Sequence, residues 1–302
     1  MNNIIKTIGL THFHSKKSKT LSDINLKIDK GQIYGFLGPN GAGKTTTLRL
    51  ILGLLKTQQG KIEIFGQDFQ SNRIDILKKV GSLIENPSLY GHLRADENLE
   101  VYRKLYGASK ARLTEVLKIV GLDNTAKKKV KQFSLGMKQR LSVALALLPN
   151  PELLILDEPA NGLDPTGIIE LRELVKKLNK EHGMTILMSS HQLTEIEKMV
   201  SHVGIIAKGE MIFQGSLEEL HLLQKKQAKL LIRTSDNVGA ISVLKAYEPE
   251  QLDDAISVAY QNEQDIADIG RKLYEKQLDI YLLQPVQNNL EQLFMDLTTQ
   301  HA

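Results

Sequence analysis

The chain contains no cysteine. That absence excludes disulfides, thiolate nucleophiles and Cys-based zinc sites, and it suits the cytosol. Long apolar runs are also missing. The most apolar stretch, LSVALALLPNPELLILD, is broken by Pro149, Asn150, Pro151 and Glu152, so it does not read as a bilayer-spanning helix. The opening MNNIIKTIGLTHF has too few apolar residues for a secretory signal and alternates like a strand. Charge of one sign is not in large excess. The formal net charge is +4, too mild to imply nucleic acid by itself. Internal repeats and low-complexity tracts are absent too. What remains is an ordinary globular composition, 41% hydrophobic and 25% charged over 302 residues. That length accommodates one large domain and one small one. A soluble, cytoplasmic protein is expected.

Strand and helix signals alternate along the first two thirds. NIIKTIGL, LSDINLKI and QIYGFLG read as strands, and GKTTTLRLILGLL as a helix. KIEIFG reads as a strand, with a short helix at Ile74 to Val80 leading into GSLIE. A mostly helical stretch follows, clearest at Glu97 to Tyr106 and Lys110 to Ile119. Beyond it come a buried strand, LLILD, a helix near Ile168 to Lys180, the strand TILMSS and a hairpin turned at Lys208-Gly209. HLLQKKQAK reads as a linker to a βαβαβα appendage.

The residues that carry chemistry sit at the joins. GPNGAGKTT comprises Gly38, Pro39, Asn40, Gly41, Ala42, Gly43, Lys44, Thr45 and Thr46, between a strand and a helix. It fits the phosphate-cradling pattern G-x-x-x-x-G-K-[ST] in its required setting. The glycines let backbone N–H groups converge on phosphate oxygens, Lys44 brings a positive charge, and the Thr45 hydroxyl suits Mg²⁺. LLILDEP ends a buried strand with two acids. Asp157 is placed to hold the metal's shell, and Glu158 to polarise an attacking water. His191, directly after TILMSS, is a candidate donor to a terminal phosphate oxygen. FSLGMKQRL reads as a second phosphate-ready helix start, with Ser134 as cap and Gly136 allowing close approach to the backbone.

The order GPNGAGKT, FSLGMKQRL, LLILDEP, NGLDP, SSH resembles the nucleotide-binding subunit of ABC transporters, over residues 1 to about 220. The resemblance implies an α/β fold: a P-loop NTPase core of ABC type with a helical subdomain at about 86–150 and a small C-terminal α+β accessory domain. The boundary then falls between 1–221 and 222–302. It also implies an ATPase using ATP and Mg²⁺, with Lys44, Glu158 and His191 in catalysis. Ser134, Leu135 and Gly136 would close over ATP held by a second copy, or by a homologous subunit. Asn161 to Asp164 resembles the loop crossing that interface, and Asp164 is counted with the nucleotide contacts. Phe13, or else His14, would stack on adenine. Gly81 to Leu99 would meet an integral membrane permease, and no nucleic acid is expected. Such a subunit works at the inner face of the cell membrane. Glu85 stands where the family usually has a Gln that contacts Mg²⁺ or the water, and Thr45, Glu85 and Asp157 form the expected metal set. A Glu here is similar to a subset of bacterial ATPases that export lantibiotics and related antibiotics. The competing expectation is a soluble ABC-type ATPase acting on nucleic acid or ribosomes. It fits less well, because the chain shows one ATPase domain and no long coiled coil.

Overall fold

The computed structural model describes residues 3–15, 18–84, 89–125, 128–226, 228–286 and 290–299. The chain forms two compact units, residues 1–217 with those from 297 onward, and residues 218–296.

In the first unit, β1 (Asn3–Ser15), β2 (Ser18–Ile24) and β3 (Lys27–Asp29) open the chain. The sequence LSDINLKI, expected as one strand, is divided between β2 and β3. Asp23 takes a left-handed backbone (φ +53°), and the Asn25 amide donates to its carbonyl at 2.9 Å. Next come β4 (Ile33–Leu37), α1 (Lys44–Ile51), β5 (Gln59–Ile64) and β6 (Gln67–Asp68). They lead to α2 (Phe69–Leu77) and β7 (Val80–Leu83). Helix α2 starts before the expected Ile74 because Asp68 caps it. Its Oδ1 accepts from the Ser71 N–H at 3.0 Å and the Ser71 hydroxyl at 2.9 Å. Those bonds favour the charged carboxylate and hold Asp68 below the usual carboxylate range.

Three helices follow, α3 (Ala95–Tyr106), α4 (Lys110–Ile119) and α5 (Leu135–Leu147). The chain then returns to the sheet through β8 (Leu153–Leu156), α6 (Pro165–His182), β9 (Thr185–Ser190) and α7 (Leu193–Ile196). The hairpin β10 (His202–Ala207) and β11 (Glu210–Ser216) closes the unit.

Two sheets result. One is antiparallel, ordered β2-β1-β5-β6 with β3 also on β1. The other is ordered β11-β10-β4-β9-β8-β7 and is parallel apart from its hairpin. Strands β4, β8 and β9 are buried at every position, as central parallel strands must be. Ile5, Ile28, Phe36, Leu48, Ile62, Ile155 and Leu187 belong to one core shared by both sheets and α1. The carboxyl ends of β4, β8 and β9 lie side by side in the order β4-β9-β8. Ligands of open α/β sheets bind at such ends, and all three carry candidate site residues.

The helical stretch is latched by Asn98, which is fully buried. Its Oδ1 accepts the Tyr90 N–H at 2.8 Å, and its Nδ2 donates to the carbonyls of Tyr90 at 3.1 Å and Arg94 at 2.9 Å. Gly91 and Leu93 in turn accept from Lys131 and Val130, both at 2.9 Å. The loop after β7 is thereby tied to the turn that leads into α5. Truncating Asn98 removes three hydrogen bonds and leaves the Tyr90 N–H without its partner, so Asn98→Ala is expected to cost about 1–2 kcal/mol. A denaturant titration giving a loss under ~0.5 kcal/mol would contradict this latch.

In the second unit, α8 (Leu217–Lys226) replaces most of the expected linker. It precedes β12 (Lys229–Thr234), α9 (Asn237–Val243), β13 (Glu250–Gln251) and β14 (Ile256–Ala259). Then come α10 (Glu263–Glu275), β15 (Ile280–Val286) and α11 (Leu290–Thr299), whose residues from 297 onward are counted with the first unit. The simple βαβαβα reading misses β13. The sheet is antiparallel, ordered β13-β14-β12-β15, a split β-α-β-β-α-β arrangement followed by a helix. Leu230, Ile232, Ile256 and Val258 form its core with Ala240, Leu244, Ile269 and Leu273.

Candidate nucleotide-binding and hydrolysis site

The loop from β4 to α1 turns on glycine. Gly41 and Gly43 take φ values of +81° and +110°, which side chains resist. A Cβ on Gly43 would also stand 2.5 Å from Leu21. Gly43 caps α1 without any side-chain hydrogen bond, and the first turn holds no acid. The helix thus presents uncapped N–H groups and the positive end of its dipole to the loop. Lys44 is 5% exposed and curls back over the same loop. Its Nζ donates to the carbonyls of Gly38 at 2.7 Å and Pro39 at 3.3 Å, and lies 3.2 Å from Glu158 Oε1.

Asp157 and Glu158 follow β8 directly. The Thr45 hydroxyl donates to Asp157 Oδ2 at 2.8 Å. Glu158 has a left-handed backbone, φ +47°, a conformation costing about 1–3 kcal/mol outside glycine. Its Oε2 lies 2.7 Å from His191 Nδ1. An ionised carboxylate only accepts, so Nδ1 carries the proton in this pair. His191 Nε2 then accepts from the Gln192 amide at 3.2 Å. Donating from Nε2 to a phosphate requires a doubly protonated ring or a turn away from Glu158.

Asn40, Gly41 and Gly43 to Thr46 share a cleft of about 500 Å³ with Glu158, Asn161, His191 and Thr20. Gly38, Pro39 and Ala42 build the loop but do not line this cleft. Neither do Phe13 and His14. Phe13 exchanges backbone hydrogen bonds with the Gln58 amide, at 2.7 and 3.1 Å. Thr20 had no signal in the sequence. A neighbouring cleft of about 450 Å³ joins Thr45, Asp157 and Glu158 to Leu135, Gln139, Asn161 and Gly162.

Ser134 is exposed and caps α5, accepting from the Met137 N–H at 3.2 Å. Gly136 sits in the first turn of α5, where an added Cβ would meet no atom nearer than 3.8 Å. Asp164 caps α6, its Oδ1 accepting from the Gly167 N–H at 2.8 Å. The NGLD loop touches the start of α5, for a Cβ on Gly162 would stand 3.2 Å from Leu135. Glu85 lies outside the described residues.

A family model for ABC transporter domains matches residues 21–161. Across 98% of both chains, the sequence is 44% identical to the bacitracin transport ATP-binding protein BcrA of Bacillus licheniformis. The chain belongs to the ABC transporter ATP-binding proteins. Identity to the lantibiotic transport ATP-binding protein SrtF of Streptococcus pyogenes is 46%, over 72% of this chain and 95% of that one. The fold superposes on an ATP-binding cassette solved as a dimer with ADP and Pi, in a post-hydrolysis state. That match has a TM-score of 0.62 and 27% identity, covering 70% of this chain and 98% of the cassette. As an ABC transporter ATPase, the protein binds and hydrolyses ATP to power transport through a separate membrane permease. Among its described residues no helix is long and apolar enough to cross a membrane.

Proposed function

We propose that this ATPase drives outward transport of an antibiotic, a peptide or a lipid-like molecule. The observation that carries the hydrolytic part is the Glu158 carboxylate, set between Lys44 and His191 beside the phosphate-ready loop. The substrate class rests on likeness to proteins named for bacitracin and lantibiotic transport. In this reading residues 1–221 are the ATP-binding domain and 222–302 an accessory domain. Two copies, or one copy and a homologous subunit, pair head to tail around two ATP molecules, at the inner face of the membrane.

The residues present fit Mg²⁺. Thr45 and Asp157 offer two hard oxygen donors whose side chains already meet at 2.8 Å. Two protein oxygens suit an ion that keeps phosphate and water as its other ligands. Glu85 is the further candidate ligand. When bound with ATP, the ion would neutralise charge on the phosphates. Glu158 would take the proton of the attacking water. Lys44 would exchange its loop carbonyls for phosphate oxygens.

The permease reading gains support from a groove of about 760 Å³. Its lining includes Leu54, Ile74, Leu77, Gly81, Tyr106 and Leu145. Leu54, Ile74 and Tyr106 are 61%, 74% and 51% exposed, and clustered exposed apolar side chains mark interaction surfaces. Among the described residues of the expected Gly81–Leu99 surface, Gly81, Ser82 and Leu83 line it. The test is purification of the tagged chain from detergent-solubilised membranes of its own host. A stoichiometric multi-span protein is expected with it. The double substitution Leu54→Asp and Ile74→Asp should remove that protein at least tenfold while ATP binding stays intact. Recovery of ribosomes or nucleic acid instead would overturn the transporter reading.

A further inference from the structure

Ser189, the first residue of the SSH motif, is fully buried near the end of β9, and the motif by itself gives it no role. Its hydroxyl makes two hydrogen bonds of opposite sense. It donates to Asp157 Oδ1, and it accepts from the Glu158 N–H at 2.8 Å. The backbone ladder between β8 and β9 ends at the pair Leu156 and Met188. The next rung is made by the Ser189 side chain in place of the backbone. Asp157 therefore has a hydroxyl on each oxygen, from Ser189 and from Thr45, which fixes the plane of its carboxylate. The same oxygen pins the N–H of Glu158, whose φ of +47° needs holding.

We infer that Ser189 is a positioning residue for ATP hydrolysis, whose one hydroxyl orients the metal-binding carboxylate of Asp157 and anchors the backbone that aims Glu158. This rests on the proposed metal role of Asp157. Partners that orient a ligand are worth about 10–100-fold in metal affinity or activity when removed.

The experiment compares Ser189→Ala, Ser189→Thr and Asp157→Asn in the full chain. Three quantities are read: ATP affinity without metal, Mn²⁺ affinity of the ATP complex by electron paramagnetic resonance, and kcat with KM. Ser189→Ala is expected to keep metal-free ATP affinity and KM within about twofold. Mn²⁺ affinity should fall about tenfold, and kcat about 10–100-fold. Ser189→Thr, which retains the hydroxyl, should recover both to within about threefold. A purely structural serine would lower the melting temperature and leave Mn²⁺ affinity unchanged, and that result overturns the inference. So does a Thr variant as impaired as the Ala variant. Asp157→Asn separates the two levels. If it weakens Mn²⁺ binding while Ser189→Ala does not, the positioning role fails alone. If Asp157→Asn itself leaves Mn²⁺ affinity unchanged, the metal reading fails and takes this inference with it.

Discussion

Glu158→Gln is expected to slow ATP turnover about 10³-fold, in line with loss of a positioned general base, and to leave the protein as a long-lived ATP-bound dimer. The substitution preserves size. Its amide oxygen can still accept from His191 Nδ1, which now stands 2.7 Å from Oε2. Lys44 loses its charged partner but keeps the carbonyls of Gly38 and Pro39. The phosphate-binding loop therefore keeps its shape, and ATP still binds. What disappears is the group that accepts the proton from water. ATP then bridges the two copies without being consumed, and a ligand that favours the closed pair holds it closed. Steady-state phosphate release measures the first effect. Light scattering with ATP and Mg²⁺ measures the second. Wild-type turnover in this variant would remove Glu158 from its assigned role, and a monomer under those conditions would count against the head-to-tail pair.

The parts of this site legible in the sequence are those made by consecutive residues. GPNGAGKTT must be glycine-rich because two of its residues have positive φ, and that need is visible as composition. LLIL is apolar at every position because β8 is buried on both faces, so the acids after it stand out. Thr20 was not legible, and Ser189 was legible only as part of the SSH motif, without a role of its own. That role depends on a hydrogen bond across 31 residues to Glu158, which no local pattern records. The fold shows the same division. Helix α4 is framed by its Ser109 cap and matches the expected span. Helix α2 buries only Phe69 and Ile76, so it lacks the apolar stripe that would have located it, and its cap alone sets its start. Strand β13 is exposed and two residues long. It exists because β14 offers it an edge, a tertiary cause that no local propensity records.

The second large effect is expected at the start of α5. Ser134→Arg should abolish ATP turnover while each separate chain still binds ATP. Losing the cap costs about 1 kcal/mol, too little to unfold the unit. Ser134 is exposed, so the arginine finds room in the monomer. Gly136 fits a site completed by a second copy. Glycine in a helix costs roughly 0.5–1 kcal/mol relative to alanine, yet outside its own turn of helix no atom comes nearer than 3.8 Å to a Cβ there. The fold itself gives no reason for glycine, whereas a phosphate brought by another copy does. A Gly136→Ala chain should therefore melt no lower than the wild type and still lose turnover. The trans arrangement has a sharper consequence. In a head-to-tail pair, each site combines the loop of one copy with Ser134 of the other. Mixing Ser134→Arg chains with Lys44→Ala chains, each inactive alone, rebuilds one intact site in every mixed pair. If the two chains are mixed in equal amounts, copies pair at random and sites act independently, about a quarter of the wild-type turnover returns. A site assembled within one chain would recover nothing on mixing, so a flat result across all mixing ratios would refute the sandwich and return Ser134 to the role of a helix cap.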